Sequence, residues 1–276
     1  MLDPDRVRSI VRAALDEDLG RGDLTTEVTV PESARACGDL VAKQELIVAG
    51  MDVARAAFQA LDPSVKWEPE AREGDRFFPG TVMGSVTGRA RALLTAERVA
   101  LNFLQRLCGI ATLTRRFVDT VEGTRARIRD TRKTTPLLRL LEKHAVEVGG
   151  GVPHRAGLDA AILVKENHIR IAGSVRQGTL RAVAGAGGLE VEVEVERVDQ
   201  IDDAIRAGAH MVLLDNFTPE EVCVAVELVA GRVPLEVSGG VRLDNVRAYA
   251  EAGPDYIAVG ALTHSAPAAD ISLEID

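Results

Sequence analysis

Between residues 126 and 259 short apolar stretches alternate with helical ones, and this rhythm restricts the fold more than any other feature of the chain. Candidate strands fall at 126–131, 160–165, 189–196, 210–214, 234–238 and 255–259, with helices such as Pro219 to Val229 and Leu243 to Glu251 between them. Strands that alternate with helices pair in parallel through right-handed crossovers, which leaves an open doubly wound sheet or a barrel. The polar residues favour the barrel. Arg132 and Lys133 follow the first stretch and Lys165 the second; Glu194 and Glu196 close the third, and Asp215 follows the fourth. Ser238, Gly239 and Gly240 end the fifth, and Gly260 stands ahead of His264 after the sixth. Barrel enzymes gather their chemistry at this end of their strands and often hold phosphate in the loops after the last ones.

The segment from Asp130 to His168 concentrates cations in a chain of net charge -9: Arg132, Lys133, Arg139, Lys143, His154, Arg155, Lys165 and His168. Thr135 and Pro136 read as the N-cap and first-turn proline of a helix carrying Leu137, Leu138, Leu141, Ala145 and Val148, ended by Gly149 to Gly151. Residues 132–135 would then sit between a strand end and a helix N-terminus, where free N–H groups and the helix dipole favour an anion. A solvated basic face is the plainer reading. It fits less well, because the cations fall at strand ends and beside glycine turns. In LEVEVEVE, residues 189 to 196, Glu190, Glu192, Glu194 and Glu196 face one way and the valines the other. In an exposed sheet that pattern is a solvated face. In a barrel the glutamates point inward, where unpaired carboxylates are costly, and Lys133 and Lys165 are the natural partners.

Before residue 126 the pattern is α+β. Asp3 and Pro4 cap an amphipathic helix that runs to Gly20, RGDLTTE reads as a polar loop, 34–50 and 77–88 as short strands, and Met51 to Leu61 as a helix. A long helix begins at Thr95, with Arg98 off its apolar face, and Gly109 interrupts it. The 46% hydrophobic content of 276 residues fills a sizeable core. No stretch approaches about 18 consecutive apolar residues, and the charged N-terminus does not read as a signal peptide. Cys37, Cys108 and Cys223 lack metal-ligand spacing and fit buried thiols in a reducing, cytoplasmic setting. An acidic pI near 5.2 argues against a nucleic-acid partner, leaving a small anion in a local pocket.

TRKTTP, GGGVPHR and LVKENH, in that order and spacing, resemble the signature of quinolinate phosphoribosyltransferase, also called nicotinate-nucleotide pyrophosphorylase (carboxylating), and the likeness runs from EDLGRGDLTTE to the tail. The resemblance implies an α/β fold: an N-terminal α+β sandwich domain over 1–109 and an incomplete TIM-like α/β barrel over 110–265, with residues 266–276 returning to the first domain. It implies transfer of phosphoribosyl from phosphoribosyl pyrophosphate to quinolinate, with decarboxylation, in de novo NAD biosynthesis. Arg132, His154 and Arg155 would clamp the acceptor's carboxylates, joined by Arg98 of the other subunit of a homodimer with shared active sites. Lys133 and Lys165 would meet the donor's phosphates, with its 5′-phosphate near Ser238, Gly239 and Gly260, and His264 would be a further substrate-binding residue. Glu194 and Asp215 would lie at the ribose hydroxyls and near Mg2+. Departures from the family pattern are Leu137 where glycine is expected, Cys108 in place of serine, and Pro153 before His154.

Three other readings suit parts of the sequence: a related phosphoribosyltransferase with a different acceptor such as nicotinate, a barrel aldolase using Lys165 or Lys133 as a Schiff base, and a non-catalytic anion-binding protein.

Overall fold

The computed structural model describes residues 2–276. Its elements run α1 (Pro4–Leu19), α2 (Leu24–Thr29), β1 (Arg35–Ala42), β2 (Leu46–Ile47), α3 (Met51–Leu61), β3 (Lys66–Pro69), β4 (Arg76–Phe77), β5 (Val82–Arg89) and α4 (Ala90–Thr120). There follow β6 (Arg127–Arg129), α5 (Arg139–Val148), β7 (Ile162–Val164), α6 (Glu166–Ala172), α7 (Val175–Gly185), β8 (Val191–Val195) and α8 (Ile201–Arg206). The chain closes with β9 (Met211–Asp215), α9 (Pro219–Val229), β10 (Leu235–Ser238), α10 (Val246–Glu251), β11 (Tyr256–Ala258), α11 (Ala261–His264) and β12 (Ile271–Ile275). Two compact units result. The first is Met1–Arg115, Thr134–Gly150 and Ser265–Asp276, and the second is Arg116–Lys133 with Gly151–His264.

The first unit holds an antiparallel sheet in the order β12-β1-β5-β3. Helix α1 starts and stops where its sequence says: Asp3 accepts from the N–H of Asp5, Pro4 opens the helix, and Gly20 ends it. RGDLTTE, read above as a loop, instead contains α2, because Asp23 accepts from the N–H of Thr26 at 3.0 Å and so caps a single short helix. Helix α4 begins at Ala90 rather than Thr95 and passes through Gly109 without a break. The glycine has another reason: a Cβ there would stand 2.0 Å from the carbonyl oxygen of Pro267, so its bareness admits the returning tail.

Helix α5 also belongs to the first unit and starts four residues after Thr135. Leu137 sits at φ +68° and is 90% exposed, so it cannot take part in a helix or a core. A left-handed conformation is disfavoured for a side chain like leucine, which explains why the family pattern has glycine there. The expected anion trap at this helix start is corrected too. Thr135 gives its N–H to Glu142 at 3.0 Å and its hydroxyl to the same carboxylate at 2.7 Å, so these donors are already used. Arg106 completes the charge balance of buried Glu142 at 2.9 Å.

The second unit is the barrel. Six parallel strands pair in the order β6-β11-β10-β9-β8-β7, and Val152 adds a single parallel bridge beside β6. Each strand neighbours its successor in the chain except β6 and β7, and that is where the ring stays open. Residues 134–150, which connect these two strands, group with the first unit. Val191, Val193 and Val195 of β8 are fully buried. Each such valine contributes roughly 1.5–3 kcal/mol relative to exposure.

Candidate active site

A cavity of about 770 Å³ opens at the C-terminal ends of the barrel strands. Its wall includes Arg132 and Lys133 after β6, His154 and Arg155 from the segment after Val152, and Lys165 after β7. Glu194 of β8, Asp215 of β9, Ser238 to Arg242 after β10, and Gly260 with His264 around α11 complete it. Parallel strands deliver their last residues to one rim, so residues spread over more than 130 positions meet in one place. Arg98 alone among the expected site residues is elsewhere: it is an exposed residue of α4 in the first unit and does not line the cavity.

One wall is cationic and incompletely satisfied. Among the described residues, the Nε atoms of Arg132 and Arg155 are buried without a hydrogen-bond partner, although Arg155 gives Nη1 to the carbonyl of Ala161 at 2.9 Å. Burial and the neighbouring Arg132 charge together hold the Arg155 pKa below its usual value. Two crowded guanidinium groups with orphaned donors call for an anion able to accept from both.

The facing wall carries acids. Lys165 Nζ lies 3.2 Å from Glu194 Oε2, and the N–H of Glu166 reaches the other carboxylate oxygen at 3.2 Å. Asp215 has its pKa raised, first by burial and next by the negative charge of Glu194. The inward alternation of β8 holds for Glu192 and Glu194, whose residues are 8% and 9% exposed, while Glu190 and Glu196 lie exposed outside the strand. Of the two lysines expected to partner these glutamates, Lys165 does so at Glu194, whereas the partner of Glu192 is not Lys133. His154 takes that place, its Nε2 2.9 Å from Glu192 Oε2, because Lys133 stands exposed beyond the strand end.

Glycines form the remaining wall. Gly239 has φ +99°, and a Cβ there would stand 2.1 Å from the Asn216 side chain, so no other residue fits. At Gly260 a Cβ would press against His264 Nε2 and Lys133 Cδ, each at 3.2 Å. Bare backbone beside Lys133 suits the close approach of a phosphate.

Sequence reasoning missed the layer beneath. Arg129 Nη1 lies 2.5 Å from Glu236 Oε2, and its guanidinium carbon sits 4.1 Å from the centre of the Tyr256 ring. Burial and then the charge of Glu192 raise the Glu236 pKa to about 7. His154, Glu192 and Glu236 bring ligand atoms within 4.8 Å of one another, but Arg129 already supplies their cation. A glutamate inside the otherwise apolar stretch LEVS was the available signal for Glu236. Arg242, two residues past the glycine pair, also lines the cavity and had a similar signal in its position at a strand end.

Two family models match the chain: "Quinolinate phosphoribosyl transferase, N-terminal domain" over residues 23–108 and "Quinolinate phosphoribosyl transferase, C-terminal domain" over residues 110–274. A nicotinate-nucleotide pyrophosphorylase [carboxylating] of Mycobacterium leprae is 45% identical over 278 residues, spanning 98% of either chain. A probable nicotinate-nucleotide pyrophosphorylase [carboxylating] of Bacillus subtilis is 41% identical over 261 residues, spanning 94% of this chain and 90% of its own. Among solved structures, NadC from Streptococcus pyogenes superposes with a TM-score of 0.96 at 38% identity, over 100% of this chain and 98% of its own.

Proposed function

This chain belongs to the quinolinate phosphoribosyl transferase family, and from that premise we propose that it joins quinolinate to phosphoribosyl pyrophosphate, giving nicotinate mononucleotide, pyrophosphate and carbon dioxide. The observation that supports this most is the pair of buried guanidinium Nε groups, on Arg132 and Arg155, that lack a partner. Quinolinate carries two adjacent carboxylates, and arginine binds such groups through a planar fork. His154, beside Arg155 in the cavity wall, completes the clamp. Lys133 and Lys165 meet the donor's phosphates as point charges, and its 5′-phosphate lies against Ser238, Gly239, Gly260 and His264.

The ribose occupies the space in front of Glu194 and Asp215. As pyrophosphate departs, positive charge builds on the sugar ring while the pyridine nitrogen attacks, and these fixed carboxylates stabilise that charge. No protein nucleophile is needed. The Schiff-base alternative suits the site poorly, since Lys165 is half exposed and ion-paired to Glu194 rather than desolvated. Burial and then the neighbouring Glu194 charge raise the Asp215 pKa, a crowding of acids that also fits a hydrated divalent cation, and Glu194 and Asp215 are the residues that would hold Mg2+, directly or through water. Bound there, Mg2+ supplies charge neutralisation for the leaving pyrophosphate.

Incubation with quinolinate, phosphoribosyl pyrophosphate and Mg2+ is expected to release pyrophosphate and carbon dioxide in equal amounts. Quinolinate alone is expected to release none, because the carbanion left by decarboxylation is stabilised only once the ring nitrogen is ribosylated and positively charged. Carbon dioxide formed without the donor would refute that order, and no turnover of the complete mixture would refute the reading itself.

The protein acts as a homodimer in which Arg98 of one subunit reaches the site of the other. What supports this is that Arg98 is exposed and absent from its own cavity wall, while the family likeness gives it a substrate carboxylate. Mixing Arg98→Ala with Arg155→Ala protein is then expected to restore activity, since a mixed dimer has one site free of both lesions. Subunit exchange, shown by tagged subunits, without returning activity would sink the shared site.

A further inference from the structure

His154 lines the cavity but belongs to no strand or helix. A side chain on such a segment samples several rotamers unless something fixes it, and ordering it costs conformational entropy. Two buried acids hold this one. Asp130 Oδ1 accepts from the backbone N–H of His154 at 2.8 Å, and Glu192 Oε2 lies 2.9 Å from its ring Nε2. Glu192 is not part of the cavity wall. It stands behind the histidine on β8, between fully buried Val191 and Val193, so its own position is set by the packed strand.

Glu192 feels the charge of Arg155 as well, but its hydrogen bond goes to the histidine. Arg129, a part-buried cation of that layer, is engaged by Glu236 at 2.5 Å. Among the described residues Glu192 Oε1 has no hydrogen-bond partner, and the hydrogen bond of this carboxylate is the one to the histidine ring.

We propose, on the basis of the quinolinate reaction described above, that Glu192 is a positioning residue: it fixes the His154 ring by its far nitrogen, so that His154 meets a carboxylate of quinolinate in a single orientation. Glu192 itself touches no substrate. The role is specific to the acceptor, because the phosphate-binding lysines and glycines do not depend on this ring.

The test is a double-mutant cycle with Glu192→Ala, His154→Ala and the pair, measuring KM for quinolinate and for phosphoribosyl pyrophosphate separately. Each single change is expected to raise the quinolinate KM about tenfold, and the double variant should be no worse than His154→Ala alone, since coupled neighbours are not additive. The KM for phosphoribosyl pyrophosphate should stay within about twofold of wild type in Glu192→Ala. Glu192→Gln, which retains a side-chain oxygen at the same reach, should recover most of the quinolinate KM. Additive losses, an equal rise in both KM values, or a glutamine variant as damaged as alanine would each overturn the proposal. Should Glu192→Ala fail to fold, Glu192→Met fills the volume without a comparable acceptor, and the same cycle is read in the same way. Wild-type protein that turns over no quinolinate would instead overturn the parent reading, which separates the two failures.

Discussion

Nicotinate is expected to be used with a kcat/KM about 10⁴-fold below that of quinolinate, because a site built to pair a polar group rejects the analogue lacking it by factors of this size. Nicotinate lacks the carboxylate beside the ring nitrogen. Binding it would leave guanidinium donors of Arg132 or Arg155 desolvated and unpaired, and these already have buried Nε groups without partners. Each unsatisfied buried donor costs roughly 1–3 kcal/mol, more when charged. Burial and mutual repulsion, visible in the lowered pKa of Arg155, increase that cost. The measurement is steady-state kinetics with both acceptors at saturating phosphoribosyl pyrophosphate. Comparable kcat/KM values would remove the two-carboxylate clamp from the account.

The second large effect concerns the opposite wall. Asp215→Asn and Glu194→Gln are each expected to lower kcat by about 10²–10³-fold, the range found when one preorganised electrostatic contact to a developing charge is removed. Both replacements keep size and hydrogen-bonding capacity while deleting the negative charge. That charge matters most when the ribose is cationic, so the loss should fall on kcat rather than on quinolinate KM. Glu194→Gln carries an added effect, because Lys165 at 3.2 Å loses its counter-charge and shifts toward other anions. A rise in KM with kcat unchanged, in either variant, would contradict the role given to these carboxylates.

The barrel was legible because its signal is repeated: six apolar stretches, each followed by polar residues, correspond to β6 through β11 with bounds that agree to within two residues. Elements without a periodic apolar face were missed. Strand β3, with sequence KWEP, alternates too briefly to register, and α6 has no buried residue at all. Gly109 was misread as a helix stop because its reason, the carbonyl of Pro267, lies far along the chain. The site shows the same division. Arg132, Lys133, Lys165 and Asp215 follow strand ends and can be found by position, whereas the pairing of His154 with Glu192 across 38 residues, or of Arg129 with Glu236 across 107, exists only once the strands are side by side.

The antiparallel sheet of the first unit is assembled from distant parts of the chain. Strand β1 ends at Ala42, yet the strand that covers one of its edges begins at Ile271. During translation at about 5–20 residues per second, that edge stays uncovered for roughly 10–50 s after β1 emerges. All six barrel strands have been synthesised by residue 258, before the edge partner exists. Order of synthesis and order of completion are therefore reversed between the two units. An uncovered edge is a template for pairing with another chain, and the charges of Arg35 and Asp39 on β1 lie where they discourage it during that interval.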